Sequence, residues 1–438
     1  MNDALPRPAV AERLDCMPFT LLHAFAVAVC ALGFGFDLLE MTLGSALAAV
    51  FSSPPHIAAP AQLSILLSSV FVGAIAGAPL SGWCADRHGR KRTLIGLLLL
   101  LCATSFGAAF SPDITSLTAW RCLSGLALGG FPPLVITYLA DLLPAGRRGP
   151  FIMVMIGLAT LGPVAGIFLV RALAPLQPLG LEGWRWGFIA GSAGSSVAAA
   201  LFVLLPESPR WLAARLRSSA ADLACERLEC SPALLGAIAP PLSAASRDSR
   251  AQRRAWPLAA ALSFLSPAST VAFPLLSGAV LAQKGYQLTD TLLYVGLSVS
   301  GPCVGNLLVA TVIDRLARRT AMVLCALGML VAGMVFVVSD TPVWLVAGSF
   351  VFTLLVSMQL SFLNLYLSEQ FPTPIRARAV AGAWACNRVG AAIAPLILLP
   401  ILHGMGPVAM FAVIAATLLA GMALLLMAPV GEAQRQLA

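Results

Sequence analysis

Charged residues are scarce in this sequence: only 11% of its 438 residues are Asp, Glu, Lys or Arg, and only four are histidines. Hydrophobic residues make up 59% of the chain, and the mean hydropathy is +0.89. An ordinary soluble domain carries about 25% charged residues, so this composition excludes one. It indicates a protein embedded in a lipid bilayer.

Several chemical motifs are also missing. The sequence has no Gly-x-x-x-x-Gly-Lys-Ser/Thr loop to cradle nucleotide phosphates, and no nucleophile–base set stands out, so we expect neither direct use of ATP nor an enzyme. The ten cysteines are scattered, mostly through apolar runs, where a thiol usually serves as a small apolar side chain. Cys225 and Cys230 have no histidine near them, so we expect no metal site, disulfide framework or cofactor.

Apolar runs long enough to cross a membrane recur along the whole chain. A spanning helix needs roughly 20 mainly apolar residues. The first run continues for about thirty residues past Pro18, too long for a signal peptide, so we predict a span that stays. We predict twelve spans, at residues 18–48, 61–84, 93–111, 114–141, 150–174, 184–205, 256–282, 289–313, 320–339, 342–368, 377–402 and 405–428.

The net charge of +8 is explained by where the basic residues lie. If the N-terminus is cytoplasmic, all but five of the 27 basic residues fall on the cytoplasmic side. Arg171, Arg185 and Lys284 lie on the other side, and Arg121 and Arg388 lie within predicted spans. This positive-inside bias predicts a multi-pass protein of the cell inner membrane with both termini in the cytoplasm. Nucleic acid is not needed to explain the basic charge.

A single offset of 228 residues aligns segments of the first half of the chain with segments of the second half. It aligns residues 86–91 with 314–319, keeping an acid and three basic residues. The same offset carries Tyr138, Asp141, Pro144 and Arg148 onto Tyr366, Glu369, Pro372 and Arg376. Internal repeats of this kind are typical of transporters with a site between two related bundles. We predict a six-helix bundle at 1–205, a cytoplasmic linker at 206–255 and a second bundle at 256–438.

The segment Gly82-Trp-Cys-Ala-Asp-Arg-His-Gly-Arg-Lys-Arg92 resembles the signature loop of the major facilitator superfamily. The resemblance implies an all-α membrane protein with 12 transmembrane helices in two six-helix bundles, which transports by alternating access. Charges in such a loop can hold helices together in one conformation and release them in another. The residues implied in this gating are Gly82, Asp86, Arg87, Gly89, Arg90 and Lys91, with Asp314, Arg315, Glu369 and Arg376 in the second half.

Other motifs narrow the branch of the superfamily. Pro206-Glu-Ser-Pro-Arg-Trp-Leu212 resembles a motif shared by sugar porters, organic-ion transporters and aromatic acid:proton symporters. Gly33-Phe-Gly-Phe-Asp37 and Asn387-Arg-Val-Gly-Ala391 look most like the aromatic acid:proton symporters and related metabolite:proton symporters. Those symporters carry Asp-Gly-x-Asp in the first helix. Here Asp37 matches the second acid and Phe34 replaces the first.

Ionisable side chains inside the membrane are costly and usually functional. Asp37 and Glu40 are three residues apart, so they share a helix face and are expected to resist ionising together. Arg121 begins an Arg-x-x-x-Gly-x-x-x-Gly pattern that resembles the fourth helix of proton-coupled members. We predict that Asp37, Glu40 and Arg121 carry proton coupling. The alternative is that the acids only pair with Arg121 or Arg388 to hold helices together.

The predicted substrate-binding residues cluster around Arg388 in the eleventh span. The guanidinium suits a carboxylate, and Trp384, one turn away, could stack on a ring. The alternative is a salt bridge from Arg388 to Asp37 or Glu40. The predicted substrate-binding set is Arg388, Asn387, Trp384, Gln359, Asn364 and Tyr294; for the neutral residues, helix-to-helix hydrogen bonding is the alternative.

These features predict a secondary active transporter that takes up a small organic acid, with an aromatic acid as a candidate, by proton-coupled symport. The expected partners are a small-molecule substrate, protons and the lipid bilayer, and we expect a monomer driven by the proton gradient. One alternative is a proton-driven exporter of drugs or metabolites, because Gly162-Pro-Val-Ala-Gly166 partly resembles an antiporter motif. The other alternative is a membrane sensor that binds a solute without moving it.

Overall fold

The computed structural model describes residues 10–54, 56–236, 249–312, 317–371 and 373–427. Within these ranges, side chains are described except at positions 11, 249–255, 310–312, 368, 369, 373–379 and 381. The described chain is helical apart from one short pair of strands and the connections. This confirms the predicted all-α class.

The first half forms six spans. The fifth of them is interrupted at Thr160. The spans are Leu21–Val50, Pro60–His88, Arg90–Ala109, Ile114–Leu142, Arg148–Ala159 with Leu161–Leu173, and Gly183–Leu204. Local sequence determines where two of these spans begin. Pro60 occupies the first turn of the second span, where a backbone N–H would have no helical partner. Asp113 caps the fourth span by accepting a hydrogen bond of 2.6 Å from Ser116 N.

The second half repeats this arrangement with more interruptions. The seventh span has a π-helical turn, the eighth is broken after Val299, and the last long helix is divided at Gly406, whose φ is 86°. That division turns one apolar helix into two spans, which gives twelve spans among the described residues. The elements are Ser249–Leu265, Ala268–Ala272 and Phe273–Gln283; Leu288–Val299 and Gly301–Val312; Arg318–Val338; Pro342–Gln370; and Thr373–Met427.

The N-terminal segment and the start of the linker fold onto the first half. Strand β1, Phe19–Thr20, pairs antiparallel with strand β2, Ala233–Leu235. The short helix Val10–Cys16 contacts the linker helices Pro209–Ala214 and Ser218–Glu229. The described residues of the linker, up to 236, therefore belong structurally to the first bundle.

Ion pairs fasten this N-terminal helix in place. Arg13 pairs with Asp222 and Glu229, each at 2.9 Å, and the hydrogen bond to Glu229 raises the pKa of Arg13. Asp15 pairs with Arg148 at 2.5 Å and with Arg210 at 2.7 Å. The linker and the N-terminus are thus joined by charge as well as by strand pairing.

Three large buried cores show how the halves pack. We call the membrane face where the first span begins the basic face, and the other the opposite face. The largest core lies toward the opposite face and joins both halves, for example Leu43 and Leu47 with Phe273 and Leu398. Toward the basic face each half has a core of its own. Among the described residues, the halves are therefore sealed together at the opposite face and packed separately at the basic face.

Candidate functional site

Asp37 lies midway along the first span on the face that meets the second half. Two helical turns further, a side chain at Gly44 would meet Leu275 of the seventh span at 2.7 Å, so this part of the first span packs against the second half. Asp37 is 2% exposed, and its buried Oδ1 has no hydrogen-bond partner. Its electrostatic neighbours are Arg388, in the eleventh span, and Glu40.

Glu40 and Arg121 form a closed ion pair inside the first half. Arg121 Nη1 donates to Glu40 Oε1 and to the Glu40 backbone oxygen, both at 2.9 Å. Ser105 Oγ donates to the other carboxylate oxygen at 2.8 Å, and the guanidinium lies 5.7 Å from the Phe188 ring centroid. Both charged residues are at most 3% exposed. The two acids that share a helix therefore have different surroundings: Glu40 is fully partnered, and Asp37 is not.

Arg388 faces Asp37 from the second half. Its guanidinium carbon lies 5.9 Å from the Trp384 ring centroid, and the Trp384 indole donates to Asn364 Oδ1 at 3.1 Å. Arg388 is half-buried, and within the described chain it makes no hydrogen bond or direct ion pair, although it interacts electrostatically with Asp37. Its donors are therefore free for a carboxylate.

Other residues of the predicted binding set are placed differently. Asn387 is 5% exposed, and its amide donates to Ser266 Oγ at 2.9 Å and to the Ser263 backbone oxygen at 3.3 Å, which ties the eleventh span to the seventh. Tyr294 packs edge-on against Tyr286, in the connection between the seventh and eighth spans, with ring centroids 5.5 Å apart.

Gln359, in the tenth span, has a buried side-chain oxygen without a partner. A buried amide oxygen in this condition is costly unless a ligand or water satisfies it. The structure therefore brings Asp37, Arg388, Trp384 and Asn364 into one chain of interactions and leaves Gln359 with an unmet acceptor.

The signature loop is built around Glu207, which follows the sixth span. Glu207 Oε1 accepts hydrogen bonds from the backbone nitrogens of Lys91, at 2.9 Å, and Ser208, at 3.0 Å. Gly89 has a φ of 106°, and a side chain there would collide with the Glu207 carboxylate. The glycine is therefore needed both for its backbone angle and for the close approach of the acid. Lys91 Nζ donates to the carbonyls of Val203, at 2.7 Å, and Leu205, at 2.6 Å.

Arg90 pairs with Asp141, an acid of the fourth span. Asp141 also accepts a hydrogen bond of 2.5 Å from Ser208 Oγ. The Asp86 side chain is exposed, and its backbone oxygen accepts from Trp211 Nε1 at 3.0 Å and from Arg215 at 2.5 Å. Arg87 is exposed and lies over the Trp83 ring, and Gly82 faces open space. The direct contacts in this loop thus use Asp141 and Glu207 as acids, and Asp86 interacts with Arg90 electrostatically.

The second-half counterparts fall where the structure gives no side chains. Asp314 and Arg315 lie outside the described residues, as do the side chains of Glu369 and Arg376. Their predicted role in gating stays a prediction.

Contacts between the halves join two interrupted spans. Thr160, at the break of the fifth span, donates to Cys303 Sγ in the eighth span at 3.2 Å. Nearer the opposite face, Arg171 Nε donates to the Thr289 backbone oxygen at 3.2 Å. Gly162 and Gly166 of the antiporter-like segment pack against Gly35 and Leu39 of the first span. Close helix packing within the first half accounts for these two glycines.

The described residues contain no group of three or more His, Cys, Asp or Glu side chains placed to hold a metal ion. His23, the histidine of the first span, is buried and bonded to Thr20 and to the Leu142 backbone oxygen. His23 therefore takes part in the N-terminal capping box of the first span.

Comparison with known proteins decides the family. The sugar (and other) transporter family matches residues 23–430. The chain belongs to this transporter family. Its fold is that of the major facilitator superfamily, as the signature loop predicted, and its relatives are transporters, not enzymes.

Relatives that match over most of their length give the same assignment. This transporter is 26% identical over 411 residues to the niacin transporter NiaP of Acinetobacter baylyi, covering 88% of this chain and 89% of that protein. It is 26% identical over 404 residues to the putative metabolite transport protein YyaJ of Bacillus subtilis, covering 87% of each.

Solved structures confirm the fold. A partially occluded inward-open form of the xylose transporter XylE from E. coli superposes with a TM-score of 0.73 at 18% identity, covering 96% of this chain and 98% of that chain. A D-xylose-proton symporter structure gives a TM-score of 0.71 at 19% identity, covering 93% and 97%. The overall fold is therefore shared with these proteins.

Proposed function

We propose that this protein takes up a small aromatic carboxylate together with a proton, with the basic face in the cytoplasm. The observation that carries this proposal is the placement of Asp37 and Arg388 across the interface between the halves. Each lacks a direct partner in the described chain, and each is the other's opposite charge. Charged groups at this depth need a counter-charge, which makes the pair sensitive to both protons and anions.

Charge balance couples the two solutes. With Asp37 ionised, Arg388 has a counter-charge and the site is neutral. A substrate carboxylate that binds Arg388 alone would leave one excess negative charge in a low-dielectric site, which is strongly disfavoured. A proton on Asp37 removes that charge, so the anion and the proton bind together. Net transport then carries one proton for each monocarboxylate.

The substrate class follows from the residues beside Arg388. A guanidinium binds a carboxylate through two parallel hydrogen bonds. The Trp384 ring one turn away offers a face for a flat substrate, and Asn364 and the unmet Gln359 oxygen add polar contacts. Niacin, the substrate that names the relative NiaP, is a pyridine ring with one carboxylate. We therefore take niacin and related aromatic monocarboxylates as the first candidates.

The packing of the halves fits a step in which the site opens to the cytoplasm. The shared core closes the opposite face, and the separate cores leave the halves free to part at the basic face. An importer releases its cargo from this conformation. The full cycle requires the cores at the basic face to meet while the shared core at the opposite face divides.

The test is transport by purified protein in liposomes. A pH gradient with the acidic side outside the liposomes is expected to drive accumulation of radiolabelled niacin inside them. A protonophore is expected to abolish this accumulation. Protein-free liposomes give the background of niacin that crosses the lipid unaided. Binding is measured separately as thermal stabilisation by a panel of aromatic and aliphatic monocarboxylates.

Two substitutions of Arg388 test whether this residue binds the substrate carboxylate. Arg388→Ala should lose stabilisation by every carboxylate, while Arg388→Lys keeps part of it because the charge remains without the paired donors. If the pH gradient drives labelled substrate out of liposomes instead of in, the protein is an exporter. If Arg388→Ala binds carboxylates as the unmodified protein does, the assignment of the site is wrong.

A further inference from the structure

Two neighbouring cavities on the first half lie apart from the site at Asp37 and Arg388, and one of them adjoins the signature loop. One, of about 320 Å³, lies at the basic face between the third span and the linker helices, and we call it the head cavity. The other, of about 290 Å³, runs between the second, third and fourth spans, and we call it the chain groove. His88 and Arg92 line both, so the two cavities adjoin.

The head cavity is strongly cationic. Lys91, Arg92, Arg217 and Arg227 line it, against the single acid Glu207. The Glu207 oxygen that faces the loop is already occupied by two backbone N–H groups. The cavity therefore presents an excess of positive charge to whatever enters it.

Some of these basic side chains are available to bind a ligand. Arg92 and Arg217 are exposed and make no hydrogen bond within the described chain; Arg217 only lies over the Trp211 ring, with its guanidinium carbon 5.9 Å from the centroid. Arg227 uses one nitrogen on the Leu204 backbone oxygen. Two free guanidinium groups at the rim of a cavity are suited to a phosphate.

The chain groove is mostly apolar and leads from the head cavity into the membrane. Arg92, Gly96 and Leu100 lie on one stripe of the third span, because they are four residues apart. From Arg92 to Leu100 this stripe covers about 12 Å along the helix. Gly96 is exposed, and a side chain at Gly96 would meet nothing within 4 Å. The missing side chain leaves room for an apolar chain.

We infer that the head cavity and the chain groove together bind one phospholipid with an anionic headgroup. Its phosphate lies among Arg92, Arg217 and Arg227, and one acyl chain follows the groove past Gly96. A soluble phosphate would use only the cationic end, whereas a lipid uses the charge and the adjoining apolar groove together. The bound lipid bridges the third span and the linker helix Ser218–Glu229.

The test uses delipidated protein in detergent, with bound lipid counted by native mass spectrometry and stability followed by thermal unfolding. The probes are dioleoyl phosphatidylglycerol, dioleoyl phosphatidylcholine as the neutral-headgroup comparator, and inorganic phosphate as the soluble one. We expect one phosphatidylglycerol to bind at least about tenfold more tightly than phosphatidylcholine. Both lipids offer a phosphate, but phosphatidylcholine also brings a choline cation, which the basic side chains of the head cavity repel. Inorganic phosphate should leave the unfolding temperature unchanged.

Two variants separate the parts of the site. Arg92→Ala with Arg217→Ala should abolish the preference for phosphatidylglycerol. Gly96→Leu should weaken binding of both lipids about tenfold, because the side chain fills the groove without touching the protein. Gly421→Leu is the matched control, since Gly421 of the twelfth span also faces open space.

The proposal is overturned by any of three results. Equal affinity for the two lipids would show that the head cavity does not recognise an anionic headgroup. A shift in unfolding temperature with inorganic phosphate equal to that with phosphatidylglycerol would make the ligand a soluble anion. Unchanged lipid binding by Gly96→Leu would remove the chain groove.

Discussion

Arg121 donates hydrogen bonds to both the side-chain carboxylate and the backbone oxygen of Glu40, at 2.9 Å in each case. The sequence places Glu40 beside Asp37 on one helix, yet the packing of the fourth span against the first gives only Glu40 a direct ion-pair partner among the described residues. This ion pair joins the two helices in the middle of the first half. Asp37 is left to face the second half.

Removing the Glu40 charge is expected to destabilise the protein. Breaking a buried ion pair leaves Arg121 uncompensated and costs about 3–5 kcal/mol. Glu40→Gln should therefore lower the unfolding temperature of the purified protein far more than Asp37→Asn does. The double variant Glu40→Gln with Arg121→Met should recover much of the loss. Equal losses from the two single substitutions would contradict the different surroundings that the structure gives these acids.

The contact between Thr160 and Cys303 offers a way to lock the two halves. Thr160 Oγ1 lies 3.2 Å from Cys303 Sγ, so Thr160→Cys brings two sulfurs together across the interface. Mild oxidation should then stop transport, and dithiothreitol should restore it, because alternating access requires this contact to separate. Thr160→Cys with Cys303→Ser is the control for the other cysteines. Full transport by a protein shown to be cross-linked would mean that the fifth and eighth spans stay together through the cycle.

Two glycines of the signature loop are expected to behave differently. Gly89 has a positive φ and lies against Glu207, so Gly89→Ala should cost on the order of 1–3 kcal/mol. Gly82 lies within the helix and faces open space, so Gly82→Ala should be neutral or stabilise by about 0.5–1 kcal/mol. Thermal unfolding of the two variants in parallel measures this. A loss of stability with Gly82→Ala as large as with Gly89→Ala would contradict the geometry.

The two acids near the loop provide another paired comparison. Asp141 accepts from both Arg90 and Ser208, whereas the Asp86 side chain is exposed. Asp141→Asn should therefore lower the free energy of unfolding by about 1–3 kcal/mol, and Asp86→Asn by much less. Chemical or thermal unfolding in the same detergent compares them. The reverse order would show that Asp86 carries the network.

Much of the architecture was predictable, because long apolar runs, the charge bias and the 228-residue repeat each report on membrane topology. The breaks at Thr160 and after Val299 were not, since a continuous apolar run gives no sign of a local kink that tertiary packing supports. The pairing of β1 with β2 was also missed. Strands of two or three residues, more than 200 positions apart, leave no periodic signal.

The site was predictable in its parts but not in its pairing. Spacing alone put Asp37 and Glu40 on one face, and only the packing of neighbouring helices separates a partnered acid from a free one. Asn387 illustrates the same limit: its place beside Arg388 suggested substrate contact, yet its amide binds the seventh span. Gly390, three residues later, packs against that span, and such contacts between spans have no local sequence signal.

In the proposed symport, Asp37 carries the proton that accompanies the substrate. The decisive experiment is transport by Asp37→Asn in liposomes, measured in two modes with labelled niacin. The substitution removes the titrating group, so accumulation driven by a pH gradient should fall to the protein-free background, while exchange of internal for external niacin continues because it needs no net proton movement. Accumulation by Asp37→Asn at the level of the unmodified protein would contradict the account.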